Sequence, residues 1–154
     1  MPITTRPATP ADLPDLLAFE QGIIAFERPY NPTLKPGHIS YYDVAAMVAS
    51  PDIEVIVAED GDLIVGSGYA KTIMAKEYIT PRKQAFLGFM YVRPEYRGQG
   101  INQLVIDDLL DWARAQGHSE VRLTVYSENT GAIRAYEKAG FAGLLLEMRK
   151  GIGE

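Results

Sequence analysis

The chain has 154 residues, 47% of them hydrophobic and 23% charged, a net charge of −5 and no cysteine. That length suits one domain, residues 1–154, large enough to bury about two-thirds of its unfolded surface without a disulfide or metal staple. The missing cysteines exclude disulfides and covalent thiol catalysis and favour a reducing, cytoplasmic setting. An acidic front (5 Lys+Arg against 11 Asp+Glu in residues 1–80, 10 against 9 beyond) speaks against nucleic acid and for a cationic substrate.

In chain order, residues 3–6 predict a short first strand. Thr9, Pro10 and Asp12 then mark a helix start, with a capping residue, proline in the first turn and an acid near the positive helix end. Leu13, Leu16, Leu17, Ile23 and Ile24 give that helix its apolar face, and the three prolines and glycine of 28–37 make a turn-rich connection. Val44, Met47 and Val48 mark a second helix, ending before Pro51. Residues 53–58 and 63–70 read as a hairpin around Asp60-Gly61, and 85–92, apolar on both faces, as a strand buried in mid-sheet. A helix over 101–116 carries Ile101, Leu104, Val105, Leu109 and Trp112 on one stripe and is closed by Gly117. Residues 121–126 predict a strand, 130–139 a helix closed by Gly140, and 141–150 a last strand. The order β-α-α-β-β-β-α-β-α-β implies an α/β (α+β) fold with a mixed, mostly antiparallel sheet: a parallel crossover from 85 to 126 and an antiparallel meander before it. No apolar run approaches the roughly 20 residues of a membrane span, and the N-terminus carries no leader-like apolar stretch.

The stretch Val92-Arg-Pro-Glu-Tyr-Arg-Gly-Gln-Gly-Ile-Asn102 carries the chemistry. A buried strand ends, the chain turns through Arg97-Gly98-Gln99-Gly100, and a long helix begins. A helix N-terminus presents unpaired N–H groups and a positive dipole end, glycines let an anion approach the backbone, and Arg97 adds a charged donor. A dinucleotide fingerprint fails, because Gln103 stands where its third glycine belongs, and no Gly-Lys-Ser/Thr is present for a nucleoside triphosphate.

Val92-x-Pro-x-Tyr-Arg-Gly-Gln-Gly-Ile resembles the pyrophosphate-binding motif of the GNAT superfamily of acyl-CoA-dependent N-acyltransferases. The later run Asn129-x-x-Ala132-Ile133-x-x-Tyr136-Glu137-Lys138-x-Gly140-Phe141 looks like that family's second signature. Asn102 departs from the pattern, which has glycine or alanine there. The resemblance implies the GNAT fold, with helices on both faces of the sheet, and acetyl-CoA as co-substrate. It implies that Arg97, Gly98, Gln99, Gly100, Ile101, Asn102 and Gln103 hold the pyrophosphate, that Met90, Tyr91 and Val92 pair with the pantetheine arm, and that Asn129 and Ala132 approach it from the other side. Asn129 serves equally well as a helix cap. It further implies that Tyr136 gives a proton to the departing thiolate.

The general base is not legible in the pattern. Glu27 and Glu20, near the end of the first helix, are the acids closest to the expected acceptor site, with His38 or a water chain as alternatives. No His, Asp or Glu cluster has metal-ligand spacing, so no metal is expected. The function this implies is acetyl transfer to a primary amine, small molecule or peptide, by direct attack; a non-catalytic acyl-CoA-binding domain of the same fold is the alternative. No nucleic acid or membrane partner is expected, and a homodimer is left open.

Overall fold

The computed structural model describes residues 2–153. A five-stranded sheet runs in the order β1 (Thr4–Pro7), β2 (Ile53–Asp60), β3 (Leu63–Met74), β4 (Lys83–Val92) and β5 (Val121–Arg122). The first three pairings are antiparallel, and β4 with β5 is parallel. The mixed, mostly antiparallel sheet follows from two connections: a two-residue Gly61-centred turn returns β2 directly into β3, whereas a helix must intervene between β4 and β5.

Helices α1 (Leu13–Glu27) and α2 (Val44–Ala49) cover one face. Leu16, Phe19 and Ile23 of α1 and Val44 and Met47 of α2 pack there on Val55, Val57, Tyr69 and Phe89. On the opposite face α3 (Ile101–Ala115) buries Ile101, Val105 and Leu109. It comes close because β3 offers glycines: a Cβ on Gly68 would lie 2.6 Å from Met90 Sδ, 2.8 Å from Val105 and 3.0 Å from Leu109. Arg6 ties β1 to the start of α1 with a two-pronged pair to Asp12 (2.8 and 2.9 Å), and the same carboxylate accepts the Thr9 N–H. The guanidinium holds the Asp12 carboxyl below the usual carboxylate range.

Residues 125–154 form a separate unit, containing α4 (Thr130–Lys138). Two expectations are corrected here. The strand expected over 121–126 shrinks to Val121–Arg122, and the strand expected over 141–150 is not formed; 141–153 joins no ladder. Residue pattern sets strand propensity, but a strand exists only where a second backbone completes its hydrogen bonds. β3 and β4 are longer than expected, reaching Met74 and starting at Lys83, and the helix expected to begin at Thr9 opens with a 3-10 turn, Pro10–Asp12, before α1. No helix among the described residues is long and apolar enough to cross a membrane.

Candidate active site

The site forms where β4 leaves the sheet. Ser67 faces Tyr91 and Tyr69 faces Gly88, so Phe89 and Met90 together oppose the single residue Gly68. This is a bulge, and it puts Phe89 at φ 57, a conformation that side chains rarely adopt. Buried Ser67 holds the distortion by donating its hydroxyl to the Phe89 carbonyl at 3.0 Å. On its other side β4 pairs with β5 only at Ala85 and Phe86. Among the described residues, β4 from residue 87 to Val92 therefore has no strand partner on the β5 side.

Beyond Val92, Arg93 fastens the strand end. Its backbone N–H donates to Val65, its Nε to Ile64, and its guanidinium pairs with Asp15 at 3.1 Å. The chain turns through Pro94–Tyr96, where the Tyr96 hydroxyl donates to Asp60 at 2.7 Å. Gly98 (φ 80) and Gly100 (φ 78) are both left-handed, and a Cβ on either would meet nothing within 4 Å. Backbone conformation therefore requires these glycines, and their outer side is open. Gly100 caps α3, whose first free N–H groups belong to Ile101, Asn102 and Gln103. Ile101 is buried in the core and the Gln103 amide donates to Asp107 at 2.8 Å, so both can serve an anion only through the backbone. Gln99 is exposed at the tip of the turn. Arg97 donates Nε to the Val92 carbonyl at 2.9 Å and lies over the rings of Tyr91 and Phe26. It thus joins the turn to the C-terminal end of α1.

That end of α1 carries Glu27. Burial pushes its carboxyl above the ordinary glutamate range, while a hydrogen bond with Tyr41 acts against the shift. Tyr42 stands beside Tyr41, Tyr69 and Phe89, with ring centroids 5.8, 5.6 and 5.3 Å away. Burial raises the Tyr42 phenol well above its usual value, and the charges of Tyr69 and Glu27 add to the shift. Tyr42 thus packs on the Phe89 bulge and feels the charge of Glu27. Glu20 plays a different part. Its buried Oε2 accepts the N–H groups of Tyr41 (2.9 Å) and Tyr42 (2.7 Å) and fixes that corner. His38 is exposed. Sequence reasoning does not single out Tyr41, Tyr42, Tyr69 or Ser67; the adjacent pair Tyr41-Tyr42 ahead of a helix-capping Asp43 is the available signal. An open groove of ≈ 450 Å³ lined by Leu13, Leu17 and residues 40–45 contains none of the sequence-predicted site residues, and β4 does not border it.

Asn129, Ala132 and Tyr136 lie in the 125–154 unit. Asn129 caps α4 by accepting the Ala132 N–H at 3.3 Å, and Tyr136 sits edge-on to Phe141. Among the described residues no three His, Asp or Glu side chains are grouped to hold a metal.

The family model for the acetyltransferase (GNAT) family matches residues 21–141, which contain the bulge, the turn and α4. The chain belongs to the GNAT acetyltransferase family. A relative of this GNAT protein, N-acetyltransferase 8B of Rattus norvegicus, is 36% identical over 85 residues, or 55% of this chain and 37% of the rat protein. The chain thus spans well under half the length of that relative. Among solved structures, a single-residue mutant of the BH1408 protein from Bacillus halodurans superposes with a TM-score of 0.87 at 17% identity, covering 97% of this chain and 99% of the other. A predicted acetyltransferase from Clostridium acetobutylicum, solved with acetyl-CoA, gives 0.72 at 19% identity, covering 96% of each chain. Both show the fold, an open mixed sheet with helices on its two faces.

Asn102 is the GNAT position where this chain carries a larger residue. It is half-buried in the first turn of α3, which leaves its N–H in place. Asn102→Ala is expected to change the acetyl-CoA Kd by less than about fivefold, roughly 1 kcal/mol, in a calorimetric titration. A tenfold loss would make the amide a ligand, and a tenfold gain would show that it crowds the turn.

Proposed function

We propose that this GNAT protein transfers the acetyl group of acetyl-CoA to a primary amine by direct attack, with both substrates bound at once. The observation that carries the reading is the stretch of β4 without a strand partner on the β5 side, which runs straight into the glycine turn and the N-terminus of α3. Its residues fit the co-substrate: the side of β4 turned from β3, at Met90, Tyr91 and Val92, lies beyond the two residues that pair with β5 and suits the amides of pantetheine, and the open turn from Arg97 to Gln103 suits its pyrophosphate. Asn129 and Ala132 of α4 are the further residues that the family resemblance assigns to the pantetheine.

Bound acetyl-CoA supplies a thioester carbonyl for a neutral amine to attack. Glu27 accepts the proton of the amine, its raised affinity for protons making it a better base than a solvated glutamate. The bulge at Phe89 and Met90 takes backbone groups out of the β3 ladder, which provides an N–H for the developing oxyanion. Tyr136 gives the proton that the thiolate takes up. Tyr41, Tyr42 and Glu27 give the acceptor an aromatic wall and one negative charge, matching an organic cation that loses its proton on binding. The cysteine-free chain suits the cytoplasm.

Millimolar acetyl-CoA is expected to raise the melting temperature, increasingly with concentration over Kd. Free CoA, read with a thiol reagent, should then appear with some member of a panel of primary amines. If NAD or ATP stabilises the protein and acetyl-CoA does not, the proposal fails.

A further inference from the structure

Among the described residues, Phe89 is the one non-glycine residue with a positive φ. A bulky side chain in that conformation persists only where its surroundings over-determine it. Here both main-chain polar groups of Phe89 are held by side chains. Its carbonyl accepts the hydroxyl of Ser67, a fully buried residue of β3, at 3.0 Å. Its N–H goes to Tyr42. Burial raises the Tyr42 phenol, the charges of Tyr69 and Glu27 add to the rise, and a hydrogen bond with the Phe89 main chain opposes it. Only a donor to the phenol oxygen acts in that direction, so the group involved is the N–H. Gly88 completes the fit, since a Cβ there would lie 2.6 Å from the Tyr69 ring.

The bond from Ser67 also fixes a direction. The Phe89 carbonyl and the Met90 N–H belong to one peptide group, planar and trans, so they point opposite ways. The hydroxyl draws the carbonyl toward β3. The Met90 N–H is thereby aimed at the other side of β4, where among the described residues no strand pairs beyond Phe86. An N–H held in place beforehand needs no reorganisation when negative charge develops in front of it, which is what an oxyanion donor requires.

We propose that Ser67 is a positioning residue for acetyl transfer: by gripping the Phe89 carbonyl it aims the Met90 N–H at the thioester oxygen. Tyr42 occupies the Phe89 N–H, so Met90 supplies the donor that the bulge has to offer. The role of Ser67 rests on the function proposed above; the direction of the N–H does not.

Ser67→Ala removes a single oxygen from a buried site. It is expected to lower kcat by about 10–10²-fold, less than the loss of a whole oxyanion donor, because the N–H remains but is no longer held. The acetyl-CoA Kd should change by less than about threefold. Ser67→Thr keeps the hydroxyl and should restore most of kcat. A spectroscopic signature separates aiming from packing. With acetyl-CoA isotopically labelled at the thioester carbonyl, the infrared band of the bound carbonyl should lie below that of free acetyl-CoA in the wild type and in Ser67→Thr. In Ser67→Ala it should return toward the free position. A Ser67→Ala protein that binds acetyl-CoA with band and kcat unmoved overturns the role of Ser67 and leaves the proposed function standing. A loss of kcat with the band in place assigns Ser67 to packing and overturns the role as well. A wild type that binds no acetyl-CoA overturns the proposed function and this role with it.

Discussion

Glu27→Gln is expected to lower kcat by about 10²–10⁴-fold, the range lost with a positioned general base, and to leave the acetyl-CoA Kd unchanged. The pH dependence makes the assignment specific. Burial raises the Glu27 carboxyl above its ordinary value of 4.5, so kcat/KM should fall as pH drops through that raised value, at a higher pH than a solvated glutamate would give. The variant should lose this acidic limb. The same shift has the opposite sign for folding. Between 4.5 and the raised value the folded chain holds more protons than the unfolded chain, so this group's contribution to stability falls as pH rises through the window. Glu27→Gln should therefore melt higher than the wild type at neutral pH. An active variant, or one whose acidic limb stays where it was, moves the base elsewhere. A variant that is both inactive and less stable would point to a structural role.

Tyr136→Phe is expected to lower kcat by about 10²-fold or more with little change in the acetyl-CoA Kd. The phenol is asked to act only while the thiolate departs, so its loss should appear in the chemical step and not in ground-state binding. The leaving group provides the control. With an acyl donor whose thiol is a weaker base, less help is needed, and the gap between the variant and the wild type should narrow. An equal loss with every donor would assign Tyr136 to the packing of α4 against Phe141.

The turn proposed to take the donor is legible in the sequence as a turn because backbone conformation writes itself into residue type there. Gly98 and Gly100 hold φ values that only glycine adopts easily, and they sit at a fixed spacing between an apolar strand and an amphipathic helix. The acceptor side is not legible. Tyr42 meets Tyr69 and Phe89 across more than 25 residues of chain, and a buried Glu20 fixes that corner by accepting the N–H groups of Tyr41 and Tyr42. No local pattern encodes a carboxylate whose partners are main-chain groups. Position alone singles out Glu27 together with Glu20, and the geometry separates them: Glu27 bonds with Tyr41, whereas Glu20 anchors the backbone of the corner. The bulge is hidden too, since Ala85–Val92 reads as an unbroken buried strand and the extra residue shows only in its register with β3. The last strand is overread for the complementary reason. Its alternation is that of a strand, but the pattern does not supply the second backbone that a ladder needs.

The way Glu20 holds the corner of residues 41 and 42 bears on how the proposed acetyltransferase could change its acceptor over evolutionary time. The carboxylate grips main-chain N–H groups, which every residue except proline possesses, so the path of the corner does not depend on what side chains it displays. Drift at these two positions can then explore new acceptors without first dismantling the scaffold, whereas loss of the single acid beneath them would end the exploration. Random substitution at 41 and 42 should accordingly yield many folded proteins with altered amine preference, and the same library built on Glu20→Ala should yield few.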